Sequence, residues 1–234
     1  MLFRSGYGFD RWNTASDGSG KFYNDGALMD ITEDLDLYAQ WVANVHTVTF
    51  LPNGGAGTMD AERFPYGSVQ TLRMNAFERE GYEFTGWKDA GGTDYTDGQS
   101  VTISADLALT AQWSLIPYTI IYDLAGGTIS GTNPGTYTVE SAAITLINPT
   151  RTGYTFSGWQ GTGLSGTVPS VTIPAGSTGD RDYTAVWTAN TYTVAFVSNG
   201  GTGSMADQNF TYEDRKSTRL NSSHPTTSRM PSSA

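Results

Sequence analysis

The chain has 234 residues, no cysteine, and 13 Lys+Arg against 23 Asp+Glu, for a formal charge of −10. That acidity argues against nucleic acid and anionic lipid as partners, since both need basic patches. The missing thiols rule out disulfides and thiolate metal sites, and no apolar run reaches the ~18 residues of a membrane-spanning helix.

Taken from the amino end, residues 1–41 carry Arg4-Ser5-Gly6-Tyr7, then GYGFDRW closing on Trp12, a polar stretch to Gly26, and an alternating run from Leu35 to Trp41. The alternation places Leu35, Leu37, Ala39 and Trp41 on one strand face. Residues 45–113 start with a strand-like run, Thr47 to Leu51, rich in the branched and aromatic residues that strands favour. Asn53-Gly54-Gly55 then supplies residues that tolerate positive φ, so the chain can reverse. GYEFTGW closes on Trp87 and LTAQW on Trp113, and Tyr82 and Phe84 share a face by their period-2 spacing. The best helical candidate, Gln70 to Phe77, is short, and no segment carries a sustained 3.6-residue stripe.

Residues 117–187 repeat the order: Tyr118 to Tyr122, Gly126-Gly127, GYTFSGW ending at Trp159 with Tyr154 and Phe156 on one face, and YTAVW ending at Trp187. Residues 191–213 begin the order again, with Tyr192 to Val197 and Gly200-Gly201. From Asp214 to Ala234 the composition shifts to Ser, Thr and Arg. This run resembles the conceptual translation of a sequencing adapter, with Pro225-Thr226-Thr227 at the index position, and is expected to be a non-native, disordered tail.

All six tryptophans therefore fall at two recurring positions. Trp41 to Trp113 is 72 residues and Trp113 to Trp187 is 74, and the glycine pairs keep the same spacing. Such a beat marks a tandem array. The expected organisation is the back half of a repeat at 1–41, complete repeats at 45–113 and 117–187, and the front of another at 191–213. Linkers of about three residues predict limited swing and an elongated, semi-rigid rod. Each unit is small and has few aliphatic residues, so its aromatics must supply much of the core. On that reasoning Trp12, Trp41, Trp87, Trp113, Trp159, Trp187, Tyr82, Phe84, Tyr154 and Phe156 are core positions. Gly54, Gly55, Gly126, Gly127, Gly200 and Gly201 are turn glycines.

The combination of strand-Asn-Gly-Gly, Arg-x-Gly-Tyr-x-Phe-x-Gly-Trp and Leu-x-Leu-Tyr-Ala-x-Trp resembles the Listeria–Bacteroides repeat, also called the internalin B B-repeat. Residues 45–113 carry the fullest set, including FPYG at Phe64 to Gly67. Arg11 stands where the later repeats have Gly86 and Gly158, and Thr110 replaces the tyrosine of the closing strand. The resemblance implies mainly β, β-grasp-like small domains in multi-repeat bacterial proteins of the cell envelope or extracellular surface. It implies no enzymatic activity and transfers no ligand residue.

Chemistry-bearing candidates each have a plainer reading. Asp17-Gly18-Ser19-Gly20 and Asp94 to Gly98 offer oxygens to Ca²⁺ but lack the EF-hand pattern, and read as solvated turns. Gly18 to Lys21 lacks both the first glycine and the final Ser/Thr of a phosphate loop. His46 is the histidine of the repeat region, and no equivalent recurs in the other repeats, so a base role is not supported. Glu33 and Asp34 are neighbours in a loop without a sign of tuned acidity. No catalytic, cofactor or metal residues are assigned. The expected role is a stalk or spacer, with neighbouring repeats as its contacts. The alternative is an adhesin-type module whose aromatics contact a host or cell-wall glycan or protein.

Overall fold

The computed structural model describes residues 2–213, so the expectation for 214–234 lies outside the described residues. Among these residues the secondary structure is all β, with no helix. The chain separates into two compact units. The first holds the residues through Tyr118 together with Tyr137–Ala142 and Ala175–Thr178. The second holds Thr119–Thr136, Ala143–Pro174 and the chain from Gly179 onward.

The first unit opens with β1 (Tyr7–Asn13), β2 (Phe22–Tyr23) and β3 (Tyr38–Ala43), an antiparallel sheet in the order β2-β1-β3. A full set of strands follows: β4 (Val45–Leu51), β5 (Glu62–Pro65), β6 (Val69–Thr71), β7 (Tyr82–Lys88), β8 (Asp94–Tyr95), β9 (Ser100–Thr102) and β10 (Leu107–Leu115). Five of these form one sheet in the order β5-β4-β10-β7-β8. Its centre is a parallel pair, Leu107 to Thr110 of β10 against Val48 to Leu51 of β4, while β7 runs antiparallel to β10. The first and last strands thus meet in the middle, and the chain between them supplies both flanks.

One face of that sheet is covered by the small β6-β9 pair and the irregular chain beside it. Val48, Phe50, Phe64, Trp87, Leu109 and Ala111 on the sheet cluster with Leu72, Phe77, Val101 and Ile103, all buried. The helical candidate at 70–77 belongs to this cover instead. Gln70 and Thr71 pair with Val101 and Ser100, and Asn75 then bonds Phe77 twice, accepting its N–H at 2.9 Å and donating to its C=O at 3.0 Å. Such local side-chain bonds compete with a helical turn.

Residues 118–189 repeat the plan with β11 (Tyr118–Asp123), β12 (Thr136–Tyr137), β13 (Ile144–Thr145), β14 (Tyr154–Gly161), β15 (Thr172–Ile173) and β16 (Arg181–Ala189). Their sheet order is β12-β11-β16-β14, with β11 and β16 parallel and β13-β15 as the separate pair. A hairpin-like pair, β17 (Thr191–Val194) and β18 (Gln208–Thr211), follows.

Two strands are shorter than their sequences promise, for one reason. The run from Leu35 forms a strand only from Tyr38, leaving Leu35 40% exposed, and the run from Tyr192 stops at Val194. In residues 45–113 the matching stretches, Leu107 to Thr110 and Val48 to Leu51, hold each other as the central parallel pair. Among the described residues neither Leu35 to Leu37 nor Ala195 to Val197 has that neighbour, so their backbone groups lack a ladder.

Candidate functional site

The recurring motif residues are where function would be sought, and each has a definable local role. In Gly-Tyr-x-Phe-x-Gly-Trp, the strand carries a β-bulge. Gln112 faces Gly86 and Trp113 faces Phe84, so Thr85 is the extra residue. Ser157 is the extra residue in β14 and Asp10 in β1. The bulge reverses face parity. Phe84 and Trp87, three apart, come to share a face with ring centroids at 4.9 Å, and Phe156 and Trp159 do the same at 5.5 Å. Gly86 and Gly158 take φ of 136° and 140° there, and a Cβ on either would press on a carbonyl oxygen, of Tyr95 or of Val168. Arg11 keeps the bulge without a positive φ.

The tryptophans are not equivalent. Trp87 and Trp159 are fully buried, and each donates its indole N–H, to Asp97 at 3.4 Å and to Asn148 at 2.9 Å. Trp113 and Trp187 are half-buried lids. Each lies over the second glycine of the pair, Gly55 or Gly127, and donates Nε1–H to a turn carbonyl, of Pro52 or Leu124, at 3.0 Å. Trp12 and Trp41 are half-buried around Phe9. Tyr82, Phe84, Tyr154 and Phe156 are also half-buried. In the turns, Asn53 and Gly54, Ala125 and Gly126, and Asn199 and Gly200 all take positive φ. No tryptophan covers Gly201; among the described residues its neighbour is the Ser198 carbonyl.

Arginine completes the turn. Arg79 stacks over Tyr82 at 3.7 Å and Arg151 over Tyr154 at 3.8 Å, and Arg151 also donates to the Ala125 carbonyl at 3.0 Å. Arg4 over Tyr7, at 3.9 Å, is the same contact in the first segment. Another link was not anticipated from the sequence: an aspartate before the closing strand caps the opening one. Asp106 accepts from Thr47 N–H at 2.9 Å, and Asp180 from Thr119 N–H at 2.7 Å. The signal was the recurrence of Asp ahead of Leu107 and Arg181.

The polar candidates are absorbed in the same way. Asn13, buried, donates to the Gly18 and Gly20 carbonyls at 3.0 and 3.2 Å, and Asp17 accepts from the Ser19 N–H and hydroxyl. Asp17 Oδ1 and the Gly18 and Gly20 carbonyls at that loop are therefore engaged. Asp97 is held by Asn75 N–H and Trp87, and Asp94 by Lys88 at 3.1 Å. No group of three or more metal-ligating side chains converges among the described residues. His46 in β4 lies beside Asp106, 3.5 Å away, and the Tyr66 ring. Glu33 and Asp34 are exposed in a loop.

Among the described residues, Asp17, Asp89 and Asp180 are carboxylates with a displaced pKa, and each is displaced downward. The Ser19 hydroxyl holds Asp17 down, the Thr93 N–H holds Asp89 down, and the Thr119 N–H holds Asp180 down. A general acid at neutral pH needs the opposite. Burial, and less so the nearby Tyr183, pushes Tyr122 up to about 12. An open, aromatic groove is lined by Phe77, Arg79, Tyr82, Phe84 and Trp113, with Glu78 and Glu80 at its side.

Comparison with known proteins agrees with this pattern. The Listeria-Bacteroides repeat domain matches residues 2–40, 46–112 and 118–182. A protein of Evansella cellulosilytica, provisionally named a Gly-rich membrane protein, is 35% identical over 203 residues, 86% of this chain and 23% of that protein. Internalin H of Listeria monocytogenes is 37% identical over 91 residues, 38% of this chain and 16% of that protein. The chain thus spans less than a quarter of the length of these relatives.

Proposed function

The chain belongs to the Listeria-Bacteroides repeat domain family, and from that premise we propose that it is a non-enzymatic structural module of a bacterial surface or envelope protein, acting as a stalk. The observation that carries the proposal is the use of the repeated residues. Trp87 and Trp159 fill cores, Trp113 and Trp187 close turns, and Arg79 and Arg151 cap them. The central parallel pair, flanked on both sides by the intervening chain, supports a β-grasp-like class for each repeat. The surface assignment draws on the relatives' names, a membrane protein and an internalin.

A spacer acts through length. Placing an epitope beyond one, two or three copies of residues 45–113 on a cell surface should raise its distance from the membrane in equal steps. An unchanged distance would remove the spacer reading.

A second reading is binding of a glycan or protein, and the groove of Phe77, Arg79, Tyr82, Phe84 and Trp113 is the observation favouring it. Aromatic faces suit sugar rings or apolar side chains. Saturable binding on a glycan array, lost in Tyr82→Ala with the fold intact, would support this reading. No binding on a broad array would leave the spacer.

A further inference from the structure

The Arg-x-Gly-Tyr turn that opens β1, β7 and β14 has a use beyond its own repeat. In all three the tyrosine N–H bonds back to the arginine carbonyl: Tyr7 to Arg4 at 3.1 Å, Tyr82 to Arg79 at 3.0 Å, Tyr154 to Arg151 at 3.2 Å. The glycine between them takes φ of 78°, 77° and 79°. Its bare face is covered each time by a side chain from later in the sequence. Tyr66 lies on Gly6 within the first unit, Tyr212 lies on Gly153 within the second, and Val139, in the segment 137–142 that clusters with the first unit, lies on Gly81. A Cβ on any of the three glycines would overlap that side chain.

Those three side chains occupy one position of the repeat pattern. Each is two residues past an aromatic, Phe64, Tyr137 or Phe210, where the second strand of the repeat ends. The backbone links match. The glycine carbonyl accepts from a linker N–H: Gly6 from Asn44 at 2.9 Å, Gly81 from Ile116 at 3.0 Å, Gly153 from Asn190 at 2.9 Å. The carbonyls of Asn44 and Asn190 then accept from Tyr66 and Tyr212 N–H at 2.7 and 2.8 Å. The tyrosine ring meets the newcomer edge-on, at 5.8 Å for Tyr7–Tyr66 and 5.4 Å for Tyr154–Tyr212. Its hydroxyl reaches the next carboxylate where one exists: Tyr82 donates to Glu140 and Tyr154 to Glu213.

We propose that Arg-x-Gly-Tyr is a docking seat for the following repeat, and that it accepts an extended segment presenting a bulky side chain, Tyr or Val, with Glu after it in two of three cases. Glycine is needed so that the incoming side chain can touch backbone. The arginine stacks on the tyrosine and fixes its ring. The linkers at Asn44 and Asn190 are stapled on both sides and do not swing as free tethers, and the linker at Ile116 is held to Gly81. The seat deepens the stalk reading by locating its stiffness, but it does not depend on whether the array also binds a ligand.

The test is amide hydrogen exchange on the full chain. In Tyr212→Ala, protection of the Asn190 amide should fall on the order of tenfold or more, since local opening sets exchange there. Protection of the Trp159 and Val168 amides, which bond to each other's carbonyls inside the second unit, should not change. Unchanged exchange at Asn190 would overturn the proposal. Loss at Trp159 and Val168 as well would also overturn it, by making the seat part of its own repeat's core. Tyr66→Ala gives a second reading, with Asn44 as reporter and Thr14, bonded to the Lys21 carbonyl, as control. An epitope distance that does not grow with repeat number, together with coupled exchange here, would sink the stalk and leave the seat standing.

Discussion

The indole of Trp113 lies against Gly55, where a Cβ would come within 2.8 Å of its ring, and donates Nε1–H to the Pro52 carbonyl at 3.0 Å. Trp187 and Gly127 repeat the relationship, with Leu124 as acceptor. The second glycine of each pair is thus needed for space. Gly55→Ala should destabilise its repeat by about 1–3 kcal/mol, the usual cost of overpacking. Urea denaturation followed by tryptophan fluorescence checks this. A neutral substitution would show that the lid is loose.

Trp87 and Trp159 are the largest buried side chains of their repeats, at 1% and 0% exposure. Trp87→Ala or Trp159→Ala should cost roughly 3–5 kcal/mol. In a repeat this small that is enough to unfold it. Near-ultraviolet circular dichroism of the two variants reports the loss. A variant with native dichroism and unchanged stability would place the indole outside the core and reopen the binding reading.

Gly86 sits in the bulge at φ 136° with the Tyr95 carbonyl 2.8 Å from where a Cβ would be. Gly86→Ala should cost about 1–3 kcal/mol through strain at a conformation that L residues rarely adopt. Its measurement is again the denaturation midpoint. The larger effect is expected at Gly158, where the Val168 carbonyl lies closer still.

These positions show what the sequence made legible. The repeat, its all-β character and the two tryptophan positions follow from local pattern and spacing. Which tryptophan is fully buried does not, because period-2 counting would put Phe84 and Trp87 on opposite faces until the bulge at Thr85 resets the parity. The glycines at 86 and 158 were the available sign. The central parallel pair joins residues about sixty positions apart, and no local pattern encodes that partnership. The Gly-Tyr turn was visible as a motif, but its use was hidden because its contact lies in the next repeat.

Acid should weaken the fold in a defined window. Asp180 and Asp89 are held below their usual 3.8 chiefly by backbone N–H groups, of Thr119 and Thr93. A folded pKa below the unfolded one gives stability that is present above the unfolded value and lost as pH falls through the folded one. The melting temperature should therefore drop as pH is lowered through and below about 4. Asp180→Asn should flatten part of that decline in the second unit. A melting temperature independent of pH down to 2 would show these bonds to be absent in solution.

Small-angle X-ray scattering of the full chain tests the stalk most directly. Seats that staple the linkers at Asn44 and Asn190 predict a pair-distance distribution that holds unchanged from low to high salt. A distribution that shifts with salt, as that of freely jointed beads would, contradicts the account.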